Sequence, residues 1–201
     1  MAGYETIPLR DACEVTAGPS GALLDNLHDG PDGVPVVTPP DITDQHTIDA
    51  RRVRRVPRDQ AEKLSRFELR AGDVLYVRQG SVGRLALVSA AQAGWLYNSA
   101  FLRLRPRETV VLPAYFAAFL AYEPTRDTVL GQAQQGTVPS LNMTQFQELA
   151  VIAPPLWHQH TIAGTIADIE ANIWIHRAVA DRLGVLSTAV FGDMVQGREP
   201  A

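Results

Sequence analysis

The chain has 201 residues, 46% of them hydrophobic, which suits one sizeable globular domain or a domain with an extension. No apolar run reaches the roughly 18–20 residues of a helical membrane span, and the opening MAGYETIPLRDACEV lacks the basic-then-apolar order of a secretory signal. The one cysteine, Cys13, permits no internal disulfide and reads as a buried thiol, so the expected setting is the cytoplasm. The net charge of −4 argues against a nucleic-acid partner, whereas its distribution argues for one. Residues 1–50 hold one base and nine acids, residues 51–107 thirteen bases and four acids, and residues 108–201 four bases and nine acids. Either the middle segment faces a polyanion, or its bases lie on solvated faces and pair with the acidic ends.

Residues 4–9, YETIPL, read as a short strand, and LRDACEV as one helical turn stopped by Gly18. Gly, Pro and Asp make 18–33 a loop. VPVV is apolar and β-branched, and TPPD ends it. RRVRRV at 51–56 reads as a strand with an arginine-rich face, and PRDQAEKLSRF as a short helix with Pro57 near its start. The clearest β signal is GDVLYVRQGSVGRLALVS, 72–89, where two apolar runs flank RQGSVG in a hairpin with a glycine-bearing turn. WLYNSAFLRLRP, 95–106, adds strand; LPAYFAAFLAYEP is a helix begun at Pro113, and TRDTVLGQ a second, shorter one. LNMTQFQELAVIAPP enters through a helical turn and leaves as a strand.

After Pro154 and Pro155 no proline occurs before Pro200. Ile162, Ile166, Ile169, Ile173, His176, Ala180, Leu183, Ser187 and Val190 recur at alternating spacings of 4 and 3, which is a heptad seam. A helix over about 156–192 is roughly 50 Å long at 1.5 Å per residue, more than one small domain covers, so the seam calls for a partner helix. His176, Ala180 and Ser187 weaken it and favour specific packing over extreme stability. The expected organisation is a domain over 1–154, a pairing helix over 155–195 and a disordered tail over 196–201.

Signatures of catalysis are missing: there is no G-x-S-x-G, no P-loop and no G-x-G-x-x-G. TPPD and APPL hold a proline pair without the aromatic residue of an adenine-methyltransferase motif. His158 and His160, at i and i+2, face different directions on a helix and make a poor metal pair. GSVG at 80–83 has the G-x-x-G form of loops that clamp nucleic-acid backbone, but those loops join helices and these flanks read as strands. GQAQQGTVPSLN, 131–142, gathers amides without a charge, in a composition suited to pairing with base edges.

Four stretches in one order carry a family resemblance. YETIPLRDACEVTAG is similar to an opening W-x-x-[VI]-x-L-[GR]-[DE]-x-[CV], and LRAGDVLYVRQGSVGRLALV to an L-x-x-GD-[IV]-L…G-x-x-G hairpin. QGTVPSLN is similar to the segment closing a recognition domain, and LAVIAPPLWHQHTIAGTIADIEANI to a PPL-x-x-Q-x-x-I junction leading into a long helix. Over essentially its whole length the chain resembles the DNA-specificity subunit of type I restriction–modification systems, with His158 where an acidic residue often precedes the junction glutamine.

The resemblance implies an α+β (mixed α/β) target-recognition domain followed by a long helix that forms an antiparallel coiled coil. The family's usual subunit has two such domains and two helices, so this chain resembles half of one. A homodimer through the seam residues Ile162, Ile166, Ile169, Ile173, Ala180, Leu183 and Val190 would then read a bipartite, inverted-repeat target on double-stranded DNA. The resemblance also implies no catalysis and no cofactor in this chain. Methyl transfer from S-adenosylmethionine would belong to a partner adenine methyltransferase, and any cleavage to a translocating restriction subunit. The rival readings are a stand-alone regulatory or decoy module without a methyltransferase, and a nuclease with an unrecognised site.

Gln and Asn suit adenine edges and Arg suits guanine in the major groove, while Ser, Thr and backbone amides suit phosphate. The candidate DNA contacts are therefore Arg78, Gln79, Ser81 and Arg84 at the hairpin tip, and Gln132, Gln134, Gln135, Thr137, Ser140 and Asn142 in the amide-rich loop. Arg51, Arg52, Arg54, Arg55 and Arg58 are candidates to track the DNA backbone. Ser140 and Asn142 equally suit a helix cap.

Overall fold

The computed structural model describes residues 3–19, 27–133 and 138–196. The chain divides into two compact units, Met1–Ile162 and Ala163–Ala201. The candidates Gln134, Gln135 and Thr137, and all of the expected tail but Gln196, lie outside the described residues.

The first unit opens with β1 (Thr6–Pro8), the single turn α1 (Leu9–Ala12) and β2 (Cys13–Ala17). β3 (Val34–Val37) and β4 (Arg54–Val56) precede the short helix α2 (Arg58–Glu62). Then come β5 (Val74–Val77), β6 (Leu85–Leu87), β7 (Leu96–Tyr97) and β8 (Phe101–Pro106). Helices α3 (Pro113–Ala121), α4 (Glu123–Gln132) and α5 (Met143–Gln147) are followed by β9 (Ala150–Ile152) and the long helix α6 (Leu156–Val195). This is the expected mixed α/β domain with a long carboxy-terminal helix, and α6 extends over 40 residues, about 60 Å.

The strands form a four-stranded antiparallel sheet in the order β2-β8-β5-β6, a three-stranded sheet β4-β3-β7 and the pair β1-β9. The expected hairpin is present, with Val74 opposite Leu87 and Tyr76 opposite Leu85. Its sheet is buried on both faces. Val74 and Tyr76 of β5 and Leu102 and Leu104 of β8 pack with Phe116, Leu120 and Phe146 from the helices. Leu75, Val77 and Phe101 pack on the other side with Val36, Val56, Phe67 and Tyr97. Side chains alternate across a strand, so an uninterrupted apolar run such as VLYV is the signature of a strand covered twice.

Three sequence expectations change. The turn begun at Leu9 does not run on toward Gly18: Cys13–Ala17 is a strand, registered against β8 from Cys13 opposite Pro106 to Ala17 opposite Leu102. That pairing brings Glu14 and Thr16 to Arg103, a need that no local pattern announces. RRVRRV is strand only over Arg54–Val56, because Arg51 is held in a turn by the Asp49 carboxylate. WLYNSAFLRLRP is two strands in two sheets, since Asn98 bends the chain and its side chain accepts from the Ala100 amide at 3.2 Å.

The arginines of β8 decide part of the charge question. Arg103, 3% exposed, donates to the Glu14 carboxylate at 2.8 Å, to Thr16 Oγ1 at 3.1 Å and to the carbonyl of Arg66 at 3.1 Å. Arg105 forms a two-pronged pair with buried Asp73, at 2.7 and 2.8 Å. These bases are internal ties, and buried charges persist only when paired in this way.

Candidate nucleic-acid interface

The hairpin tip and the amide-rich segment meet. Arg78 and Leu141 are joined by the Leu141 amide donating to the Arg78 carbonyl at 2.8 Å, and the Gly80 amide donates to the Pro139 carbonyl at 3.0 Å. Between them Gln79 and Ser140 form an antiparallel bridge. Two stretches some sixty residues apart thus make one short ribbon that carries Arg78, Gln79, Ser81, Ser140 and Asn142. Gln79, Ser81 and Asn142 are exposed, and Ser140 is half-buried. The turn between β5 and β6 needs both of its glycines, Gly80 at φ +79 and Gly83 at φ +93, in the left-handed region that side chains rarely adopt.

Within the ribbon the roles separate. Asn142 caps α5, its Oδ1 accepting from the amides of Thr144 at 2.9 Å and Gln145 at 3.3 Å. Arg78 is half-buried and its Nε donates to the Ser99 carbonyl at 3.0 Å, which fixes the stem of its side chain. Gln79 is exposed with no side-chain partner among the described residues. Arg84 points back into the domain: its guanidinium donates to the carbonyls of Ile42 and Pro39 and lies 3.9 Å from Asp44. Gln132 closes α4, with its Oε1 buried and unpaired among the described residues.

The arginines at 51–58 are less of a unit than their spacing suggests. Arg51 clamps Asp49 through Nε at 2.9 Å and Nη2 at 2.7 Å. The Arg51 hydrogen bonds hold the Asp49 carboxyl well below the usual carboxylate range. The Asp49 amide donates to the Asp41 carbonyl at 2.8 Å, and Arg84 reaches that same 39–44 segment, so the Asp49–Arg51 clamp is tied to the segment that Arg84 holds. Arg55 donates to the Gly33 carbonyl at 3.3 Å and, with exposed Arg54 and Arg58, lies farther along β4 and α2.

Residues that the sequence pattern did not single out complete this end. Thr43 and His46 from the turn after β3, with Arg126 from α4, join Arg84 around a cavity of about 410 Å3. Their separations in the chain carry no motif, and the one local hint was Gly83, beside which the Arg126 stem packs. Among the described residues no group of His, Cys, Asp and Glu is arranged to hold a metal, and no helix is long and apolar enough to cross a membrane.

The family model for the type I restriction modification DNA specificity domain matches residues 1–183. The chain belongs to that family. A protein of Methanocaldococcus jannaschii described as the specificity subunit of the type I restriction enzyme MjaX is 25% identical over 142 residues, covering 69% of this chain and 33% of its own length. Among solved structures, a chain determined for the complex assembly and conformational transition of the type I R-M system superposes with a TM-score of 0.70 at 19% identity, covering 95% of this chain and 45% of its own. The HsdS subunit from Thermoanaerobacter tengcongensis gives 0.61 at 18% identity, over 95% and 44% of the two chains. The S subunit from M. genitalium gives 0.57 at 13%, over 90% and 44%. These likenesses show a shared fold. The chain spans a third of the curated relative and less than half of each solved one. A specificity domain recognises DNA, which is a binding role and not a catalytic one.

The junction glutamine shows what its motif does. Gln159 is fully buried, accepts from the Leu112 amide at 2.8 Å and donates to the carbonyls of Val110 at 2.8 Å and Pro154 at 2.7 Å. It ties the first turn of α6 to the segment leading into α3, all within the first unit.

Proposed function

We propose that this specificity domain reads half of a bipartite target on double-stranded DNA and brings a partner adenine methyltransferase, with S-adenosylmethionine as its methyl donor, to that site. The observation that supports base reading most directly is the ribbon joining Gln79 to Ser140, which presents an unpaired amide at the end of the domain. A glutamine held on a rigid two-stranded ribbon can enter the major groove and pair with adenine N6 and N7. Arg78 beside it is stiffened by Ser99 and is placed for guanine or for phosphate.

The second half of the target is read by a second copy. Along α6 the seam residues Ile166, Ile169, Ile173 and Leu183 are exposed, as a pairing helix requires. Two copies packed antiparallel through this seam relate their recognition domains by a two-fold axis and fix the spacing between half-sites. A restriction subunit, where the system has one, would join the same assembly.

Replacing Arg78 or Gln79 by Ala should reduce methylation by a co-expressed partner methyltransferase at the target roughly 10- to 100-fold, the loss of one bidentate pair in each case. Assembly, read by co-purification, should be unchanged. Normal methylation by both variants would remove the ribbon from recognition. A chain that binds DNA but assembles with no methyltransferase would instead support a stand-alone regulatory module.

A further inference from the structure

We propose, on the footing of the DNA-recognition reading, that the cavity beside the hairpin tip binds a backbone phosphodiester of the duplex, with Arg126 as its cation and His46 as its second donor. The cavity holds about 410 Å3 between the 43–46 turn, the tip at Gly83 and Arg84, and α4. Its walls are built before any ligand arrives. Arg84 is engaged with the Ile42 and Pro39 carbonyls, and so locks the turn after β3 onto the hairpin. His46 is the one described residue other than glycine at positive φ, 57°. Its amide donates to Thr43 at 3.2 Å, and its carbonyl accepts from the Leu87 amide at 3.0 Å. A strained turn pinned at both ends commonly marks a working position.

Arg126 is the free charge of this site. It is exposed, and its guanidinium forms no ion pair or hydrogen bond among the described residues. Its stem lies on Gly83, where an added Cβ would sit 3.3 Å from Arg126 Cγ and 3.6 Å from Cδ. The tip glycine therefore does two things: it makes the turn, and it leaves room for the arginine that crosses it. The G-x-x-G form of residues 80–83 thus presents bare backbone and a planar cation together, between strands instead of helices. Thr43, His46, Arg84 and Arg126 bring donors to the cavity, Asp44 lies 3.9 Å from Arg84, and the rest of the lining, Val82, Gly83, Ala121 and Leu130, carries no charge. Two guanidinium groups with a hydroxyl and an imidazole beside them fit a phosphodiester, which only accepts. The ribbon bearing Gln79 leads from this same turn.

The test uses the full-length chain and a labelled random-sequence duplex, with binding followed by anisotropy over a salt series. Arg126→Gln should weaken binding roughly tenfold near 0.1 M salt and lower the slope of log K against log salt by about 1. His46→Gln should weaken it in the same direction by less, and Arg126→Lys should restore the slope. Arg70→Gln, an equal loss of charge at the far end of β5, is the control. If Arg126→Gln matches Arg70→Gln in both affinity and slope, the pocket is not a phosphate site, although recognition by the ribbon still stands. The phosphate site is equally overturned if Arg126→Gln leaves the random duplex unaffected and changes only which sequence is methylated, since Arg126 would then read a base. A parent chain that fails to bind duplex DNA even at low salt would overturn the pocket and the recognition reading together.

Discussion

Gln159 shows how much one side chain can hold. Its three hydrogen bonds lie in a fully buried site, and replacing it by Leu leaves the Leu112 amide and two carbonyls without partners. An unsatisfied buried group costs about 1–3 kcal/mol, so Gln159→Leu should lower the unfolding free energy by about 3 kcal/mol, measured from the urea midpoint. Burial also sets an alkaline limit. Desolvation pushes the Cys13 thiol up to about 12, and it pushes the Tyr97 hydroxyl up to about 12 as well. Both groups are uncharged when protonated and hold the proton more tightly in the native state. Their contribution is therefore complete below the unfolded values, about 8.5 for Cys and 10 for Tyr, and is lost as pH rises toward 12. The melting temperature should accordingly fall between about pH 9 and 12, and Cys13→Ala should remove the part of the fall that begins first. The glutamine was visible in the sequence as the centre of PPL-x-x-Q-x-x-I. Its hydrogen bonds were not, because Val110 and Leu112 lie nearly fifty residues away.

At the scale of elements, legibility follows the range of the forces. The β5–β6 hairpin declares itself through two apolar runs and the two glycines of the turn between them, and α6 through a period that needs no tertiary help. β2 is the contrary case. Its CEVTA follows a helical turn directly and becomes a strand only against β8, with Arg103 between Glu14 and Thr16. The candidate site divides in the same way. The hairpin tip at Arg78 and Gln79 could be read from the sequence, whereas the internal partners of Arg78, Arg84, Arg51 and Arg55 are ones that composition cannot disclose. The amide-rich segment was legible as unusual, yet only the bridge from Gln79 to Ser140 brings its end, Pro139 to Leu141, to the tip. For α6, Ile166→Asp together with Ile173→Asp places charge in the seam. In size-exclusion chromatography with light scattering the parent should run as a dimer and the double variant as a monomer. A dimeric variant would remove the seam from assembly.

At the scale of the molecule, the chain combines a recognition domain whose core lies on both faces of one sheet with a helix whose seam is exposed. The net charge of −4 opposes a polyanion, and Arg103 and Arg105 are spent on internal pairs. DNA binding by the chain alone should therefore be weak and steeply salt-dependent, with the partner subunit supplying much of the backbone contact. The most direct measurement is methylome sequencing of a methylation-free host that expresses the partner adenine methyltransferase with and without this chain. The expected result is a split, inverted-repeat methylated motif that appears only when the chain is present. Absence of methylation from a complex shown to assemble would contradict its role in directing the methyltransferase, and a continuous motif would contradict pairing through the long helix.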